Sequence, residues 1–69
     1  MSANELKQAV ITENEITFSH KGNDYLVYGW DQCDGYVLCL ECEGELVWQS
    51  APQPKKVCIE EFISYYSEL

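Results

Sequence analysis

A run of aromatic and branched apolar residues, broken by short turns between Asp24 and Gln49, most limits the folds open to this chain. Tyr25 to Trp30 and Tyr36 to Leu40 have the composition of strands, and Asp34-Gly35 is typical of a hairpin turn. Asp31 to Gly35 is too short a connection for parallel strands. The sequence therefore predicts an antiparallel pair at the centre of the molecule.

The flanking residues add two strands and a helix. Leu46 to Trp48 follows the turn at Glu43 to Glu45, and Glu15 to Ser19 alternates polar and apolar residues as a half-buried strand does. Pro52 and Pro54 cannot donate to a sheet, so they end it. Beyond them the apolar period changes to that of a helix. Its stripe is formed by Cys58, Ile59, Phe62, Ile63 and Tyr66.

The N-terminal residues allow two interpretations. Ser2 and Glu5 have the spacing of a capping box, which predicts a short helix over about residues 3 to 9. Val10 to Thr12 fits the start of a strand equally well, and periodicity does not decide between the two.

Together these patterns predict one α+β domain over residues 1–69. We expect a helix or arm over 1–14, a four-stranded antiparallel meander over 15–49, a proline-containing connector over 50–56, and an amphipathic helix over 57–68. The C-terminal helix should cover one face of the sheet.

Strand parity assigns the two faces of this sheet. The face expected to meet the helix carries Ile16, Phe18, Leu26, Tyr28, Trp30, Tyr36, Leu38, Leu40, Leu46 and Trp48. The other face has an apolar centre beside three acids, which is typical of a partner surface. The predicted partner-binding residues are Tyr25, Val27, Val37 and Val47, with Glu41, Glu43 and Glu45 at the rim. Two simpler interpretations are that the N-terminal helix covers this centre, or that its branched residues only satisfy strand propensity.

The charge balance narrows the choice of partner. The chain has 12 acidic residues, four lysines, no arginine and a net charge of -8. Nucleic acids and anionic membranes are bound mainly through lysine and arginine, so neither is an expected partner. A basic protein would be steered toward this chain. Acidity also serves solubility alone, which is the simpler interpretation.

The four cysteines, Cys33, Cys39, Cys42 and Cys58, support an alternative function as a zinc- or thiol-dependent module. Cys39 and Cys42 form a CxxC pair, but in a regular strand they point to opposite faces. With no apolar export signal and no run near the roughly 20 residues that cross a bilayer, we expect a cytoplasmic protein with free thiols.

No catalytic site is predicted, and no cofactor motif is present. His20 is the only histidine, and no third residue completes a Cys–His pair. We therefore expect a non-enzymatic acidic interaction protein. It would bind a protein partner, such as a basic enzyme or a nucleic-acid-binding protein inhibited by charge mimicry, or a second copy of itself as a homodimer.

Overall fold

Six elements make up the fold, and the computed structural model describes all residues from Met1 to Leu69. They are α1 (Ala3–Thr12), β1 (Glu15–His20), β2 (Asn23–Gln32), β3 (Gly35–Cys42), β4 (Glu45–Gln49) and α2 (Lys55–Ser67). The strands form one antiparallel sheet in the order β1-β2-β3-β4, and both helices pack on the same face of it. The predicted α+β meander with a C-terminal helix is confirmed.

The N-terminal residues form a helix rather than a strand. The Ser2 hydroxyl accepts the Glu5 backbone N–H at 3.2 Å, and the Glu5 carboxylate accepts the Ser2 N–H at 3.0 Å. This reciprocal capping box satisfies two N–H groups at the helix start. The helix continues through Thr12, and it buries Leu6 and Val10.

Two of the three hairpin turns contain two residues with left-handed backbone. Lys21 and Gly22 have φ values of 51° and 83°, and Glu43 and Gly44 have 50° and 86°. Positive φ at both central residues matches the twist of the flanking strands, with glycine favoured at the second position. The middle hairpin also has a two-residue turn, because Gln32 pairs directly with Gly35.

The core lies between the helices and one sheet face. Its fully buried centre includes Leu6, Leu38, Leu40 and Phe62. Around these the Phe18 ring stacks on Tyr25 at 5.2 Å. The other buried members of this cluster are Val10, Val27, Tyr36, Cys58, Ile59 and Tyr66.

The face predicted for β2 was wrong. Phe18 pairs with Tyr25, and Val27 pairs with Leu40, so Tyr25 and Val27 point toward the helices. The predicted five-residue connection between β2 and β3 has two residues instead. Changing the loop from an odd to an even length reverses the parity of β2 against β3.

In β4 a bulge separates the predicted core pair. Leu46 pairs with Glu41 while Trp48 pairs with Leu40, and Val47 is the extra residue between them. Trp48 therefore packs on Phe62 at 5.8 Å, whereas Leu46 lies on the opposite face. A bulge inserts one residue without a partner and so shifts the alternation beyond it.

The connector before α2 is held against β3. Tyr36 and Gln53 exchange both backbone hydrogen bonds, at 2.8 and 3.1 Å. Ser50 is buried, and its hydroxyl accepts the Leu38 N–H at 2.9 Å. The same hydroxyl donates to the Cys58 sulfur at 3.3 Å, which links the connector to α2.

Candidate partner-binding face

The sheet face turned away from both helices, called the open face below, carries a continuous group of apolar side chains. Cross-strand pairing defines its members, since directly opposite residues share a face. Trp30 pairs with Val37, Tyr28 with Cys39, and Glu41 with both Leu26 and Leu46 across its two neighbouring strands. The apolar side chains of the open face are therefore Leu26, Tyr28, Trp30, Val37, Cys39 and Leu46, with Glu41 among them. Glu15 and Thr17 of β1 share this face, opposite Tyr28 and Leu26.

The open face has a buried floor and exposed projections. Val37 and Cys39 are each only 1% exposed although no helix covers them. Their direct cross-strand neighbours are Trp30 and Tyr28, whose rings stack at 5.9 Å. Trp30 remains 40% exposed and Leu46 53% exposed. An exposed tryptophan fixed by a neighbouring ring over buried side chains is a suitable anchor for a partner, because it has little freedom to lose on binding.

Tyr28 and Glu41 are joined by a hydrogen bond across this face. The Tyr28 hydroxyl donates to the Glu41 carboxylate at 2.8 Å. This bond raises the pKa of Tyr28 to about 12, with partial desolvation adding to the effect. Burial likewise raises the pKa of the Cys39 thiol. At neutral pH both groups are uncharged, and Glu41 supplies the negative charge at the centre of the face.

No lysine lies on the open face. Lys21 is in the β1–β2 turn, Lys7 is on α1, and the other two lysines begin α2. Glu15 lies directly opposite Tyr28 on β1 and is exposed. The open face is therefore mainly apolar, with Glu41 among its apolar side chains and Glu15 beside them, and no lysine neutralises these acids.

The predicted partner-binding residues lie in different parts of the structure. Tyr25 and Val27 lie in the core, 8% and 1% exposed, so their placement on the open face was wrong. Val37 is on the open face but forms its floor. Val47 is exposed at the bulge. Whether any of these residues contacts a partner stays a prediction.

The three predicted rim acids differ in their surroundings. Glu41 is half-buried and bonded to Tyr28. Glu43 accepts the Asp24 backbone N–H at 3.0 Å and lies in the β3–β4 turn. Glu45 is exposed at the start of β4. Glu41 lies within the apolar face and lines one pocket together with Glu43, while Glu45 lies at the same end of the sheet outside that pocket.

Sequence reasoning missed Leu26, Tyr28, Trp30 and Leu46 as members of the open face. Lys21-Gly22 was the available signal for three of them. A glycine at the second position of a two-residue turn is typical of this hairpin, and such a turn places Phe18 opposite Tyr25. The bulge that exposes Leu46 has no comparable sequence signal.

The four cysteines are not brought together. Cys39 is on the open face, Cys58 is on the buried side of α2, Cys33 is exposed in the β2–β3 turn, and Cys42 is half-buried beside the core. No group of three or more His, Cys, Asp or Glu side chains converges on a common point. The zinc alternative thus has no ligand geometry to support it.

His20, the only histidine, packs against the last turns of α2. Its ring lies 4.9 Å from the Tyr66 ring, and its Nε2 is buried without a hydrogen-bond partner. The contact with Tyr66 gives His20 a packing role at the end of α2.

Comparison of the chain with family models, with curated proteins and with solved structures gave no match in any of the three. Neither helix has the length and apolar character needed to cross a bilayer. The open face is therefore interpreted from its own geometry and charge.

Proposed function

We propose that this chain is a non-enzymatic interaction protein that binds a basic protein partner through the open face. The observation that carries the proposal is Trp30, held 40% exposed above a buried floor on a sheet face without lysine. Exposed apolar groups rimmed by polar residues mark interaction surfaces. Tryptophan and tyrosine are also enriched among residues that dominate binding energy.

The charge of the open face favours a basic partner over a second copy. In a two-fold dimer through this face, both copies would bring Glu15 and Glu41 into one contact that contains no lysine. A partner rich in lysine or arginine would pair with them instead and would be steered toward a chain of net charge -8. Basic enzymes and nucleic-acid-binding proteins present such surfaces. On the latter, the open face would occupy the place of the phosphates.

The test begins with affinity capture on the immobilised chain and identification of the retained proteins. Each candidate is then purified and titrated against a Trp48→Phe variant, in which Trp30 is the only tryptophan. Burial of Trp30 by the partner should shift its fluorescence to shorter wavelength. In the wild-type background, Trp30→Ala should weaken binding by about 2 kcal/mol, the scale of an interface hot spot.

Ile11→Ala is the matched control, since Ile11 is 46% exposed on α1 away from the sheet. It should leave the affinity unchanged. A partner whose affinity is insensitive to Trp30→Ala, or equally sensitive to Ile11→Ala, would show that the open face is not the binding surface. An association rate that does not fall with added salt would contradict the proposed steering.

A further inference from the structure

Three of the four lysines line one groove between the helices, called the lysine groove below. It has a volume of about 490 Å³ and contains no acidic residue, in a chain with 12 acids. Its lining consists of Lys7, Gln8 and Ile11 from α1 and Lys55, Lys56 and Ile59 from α2. The groove is therefore a local positive region on a strongly negative molecule.

The start of α2 adds to this positive charge. Pro54 is the N-cap residue and offers no side-chain acceptor, and the first turn of α2 contains no acid. The free N–H groups and the helix dipole thus remain uncompensated beside the lysines. Ile11 is 46% exposed at the groove and Val57, also in the first turn of α2, is 36% exposed, so an occupant would need apolar groups next to its negative charges.

The chain itself carries a segment of that chemistry. Glu43 lies in the β3–β4 turn and Glu45 follows it, and Leu46 and Val47 come next with exposures of 53% and 43%. We call residues 43–47 the acidic turn. Its carboxylates and apolar side chains match the lysines and exposed apolar groups of the lysine groove.

The acidic turn cannot reach the groove of its own molecule. Gln53 pairs with Tyr36 near the start of β3, so α2 begins at that end of the sheet. The acidic turn follows the other end of β3, and the eight residues of this strand separate the two ends by about 23 Å. Any contact between them must therefore join two molecules.

We propose that copies of this chain associate head to tail, with the acidic turn of one copy in the lysine groove of the next. Such a contact uses two different surfaces and leaves one of each free at the ends, so it extends to chains of molecules unless it closes into a ring. At physiological ionic strength the screening length is about 8 Å. Opposite charges in direct contact still attract each other at this screening length. Each molecule is 36 Å long, so most of its other acids lie farther than the screening length from the neighbouring molecule, and their repulsion is largely removed.

The test is a pair of charge reversals studied by sedimentation velocity at physiological ionic strength, over a range reaching millimolar concentration. The groove variant carries Lys7→Glu and Lys56→Glu, and it keeps Lys55, which lies 5.3 Å from the Tyr36 ring centre. The turn variant carries Glu43→Lys and Glu45→Lys. A lysine fits at position 43, because Lys21 adopts nearly the same φ in the first hairpin, 51° against 50°.

Wild type should show an average mass that rises above 8.0 kDa with concentration. Each variant alone should associate more than about tenfold more weakly, since like charges would face each other across the contact. An equimolar mixture of the two variants should regain association, because each then offers a surface complementary to the other. A control variant with Asp31→Lys and Asp34→Lys has the same net charge as the turn variant, and it should still associate.

A wild type that stays at 8.0 kDa throughout, or a mixture that stays monomeric, would overturn the proposal. Loss of association in Trp30→Ala would do the same, since it would assign the contact to the open face. Circular dichroism of each variant checks that it is folded. Leu46 belongs to both the acidic turn and the open face, but Trp30 lies outside the acidic turn and the lysine groove, so Trp30→Ala tests partner binding and the lysine reversals test self-association separately.

Discussion

Replacement of Gly29 by alanine should strongly destabilise the protein, because the Tyr36 ring lies directly over this glycine. The two residues are diagonal neighbours on the core face of β2 and β3. A Cβ atom at position 29 would lie 2.5 Å from Cε2 and 2.6 Å from Cζ of Tyr36. Carbon atoms pack at about 3.5–4.0 Å, so the ring must move by roughly 1 Å or leave its site.

The size of the effect follows from what Tyr36 would lose. Its side chain is 7% exposed, and the Lys55 ammonium lies over its ring. Overpacking a core costs about 1–3 kcal/mol, and loss of a large buried aromatic about 3–5 kcal/mol. Since the collision involves the ring itself rather than a flexible end, we expect Gly29→Ala to reduce the free energy of unfolding by about 3 kcal/mol.

Urea denaturation followed by circular dichroism measures this change, and a double-mutant cycle isolates its cause. In a Tyr36→Ala background the added methyl group meets no ring. Gly29→Ala should there be neutral or stabilising by up to about 1 kcal/mol, because alanine restricts the unfolded chain. Equal destabilisation in both backgrounds, or a change in wild type below about 0.5 kcal/mol, would show that the Tyr36 ring does not limit the space at position 29.

Three further measurements test other parts of the structure. Ser50→Ala should cost about 2 kcal/mol in urea denaturation, because the Leu38 N–H would lose its buried acceptor. Tyr28 has a folded pKa of about 12 against an ordinary value of 10.0. Its stabilising effect is therefore complete below pH 10 and is lost as the pH rises toward 12, and a Tyr28→Phe variant should lack this alkaline loss when the two unfolding curves are compared. A thiol reagent followed by peptide mass spectrometry should modify exposed Cys33 first, while buried Cys39, whose thiol pKa is raised, should react only after unfolding.

The elements of the fold were predictable because each has a local signal. The capping box at Ser2 and Glu5 predicts the start of α1, and the prolines of the connector separate sheet from helix. The faces of β1 and β3 also follow from sequence. In β1, polar residues alternate with Ile16 and Phe18, and only one arrangement buries the apolar set.

The face of β2 was not predictable from its own residues. Tyr25 to Trp30 is apolar on both faces of the strand. A one-residue shift in the pairing of β2 therefore replaces one apolar set in the core by another, and the sequence pattern does not show which set is buried. The face of β2 then depends on whether each neighbouring turn has an odd or an even number of residues. The candidate site depended on the face assigned to β2, and for that reason its residues were only partly found.

The connector that follows β4 also has a consequence for the motions of the molecule. On one side β3 pairs with β2 along its whole length. On the other side, Ser50 and Gln53 bond to the first half of β3 and β4 bonds to the second half, so β3 has backbone partners on both sides. Its residues from Tyr36 to Leu40 are all buried. Amide hydrogens of β3 should therefore exchange with solvent only when the whole molecule unfolds, whereas those on the outer edge of β1 should exchange through small local openings.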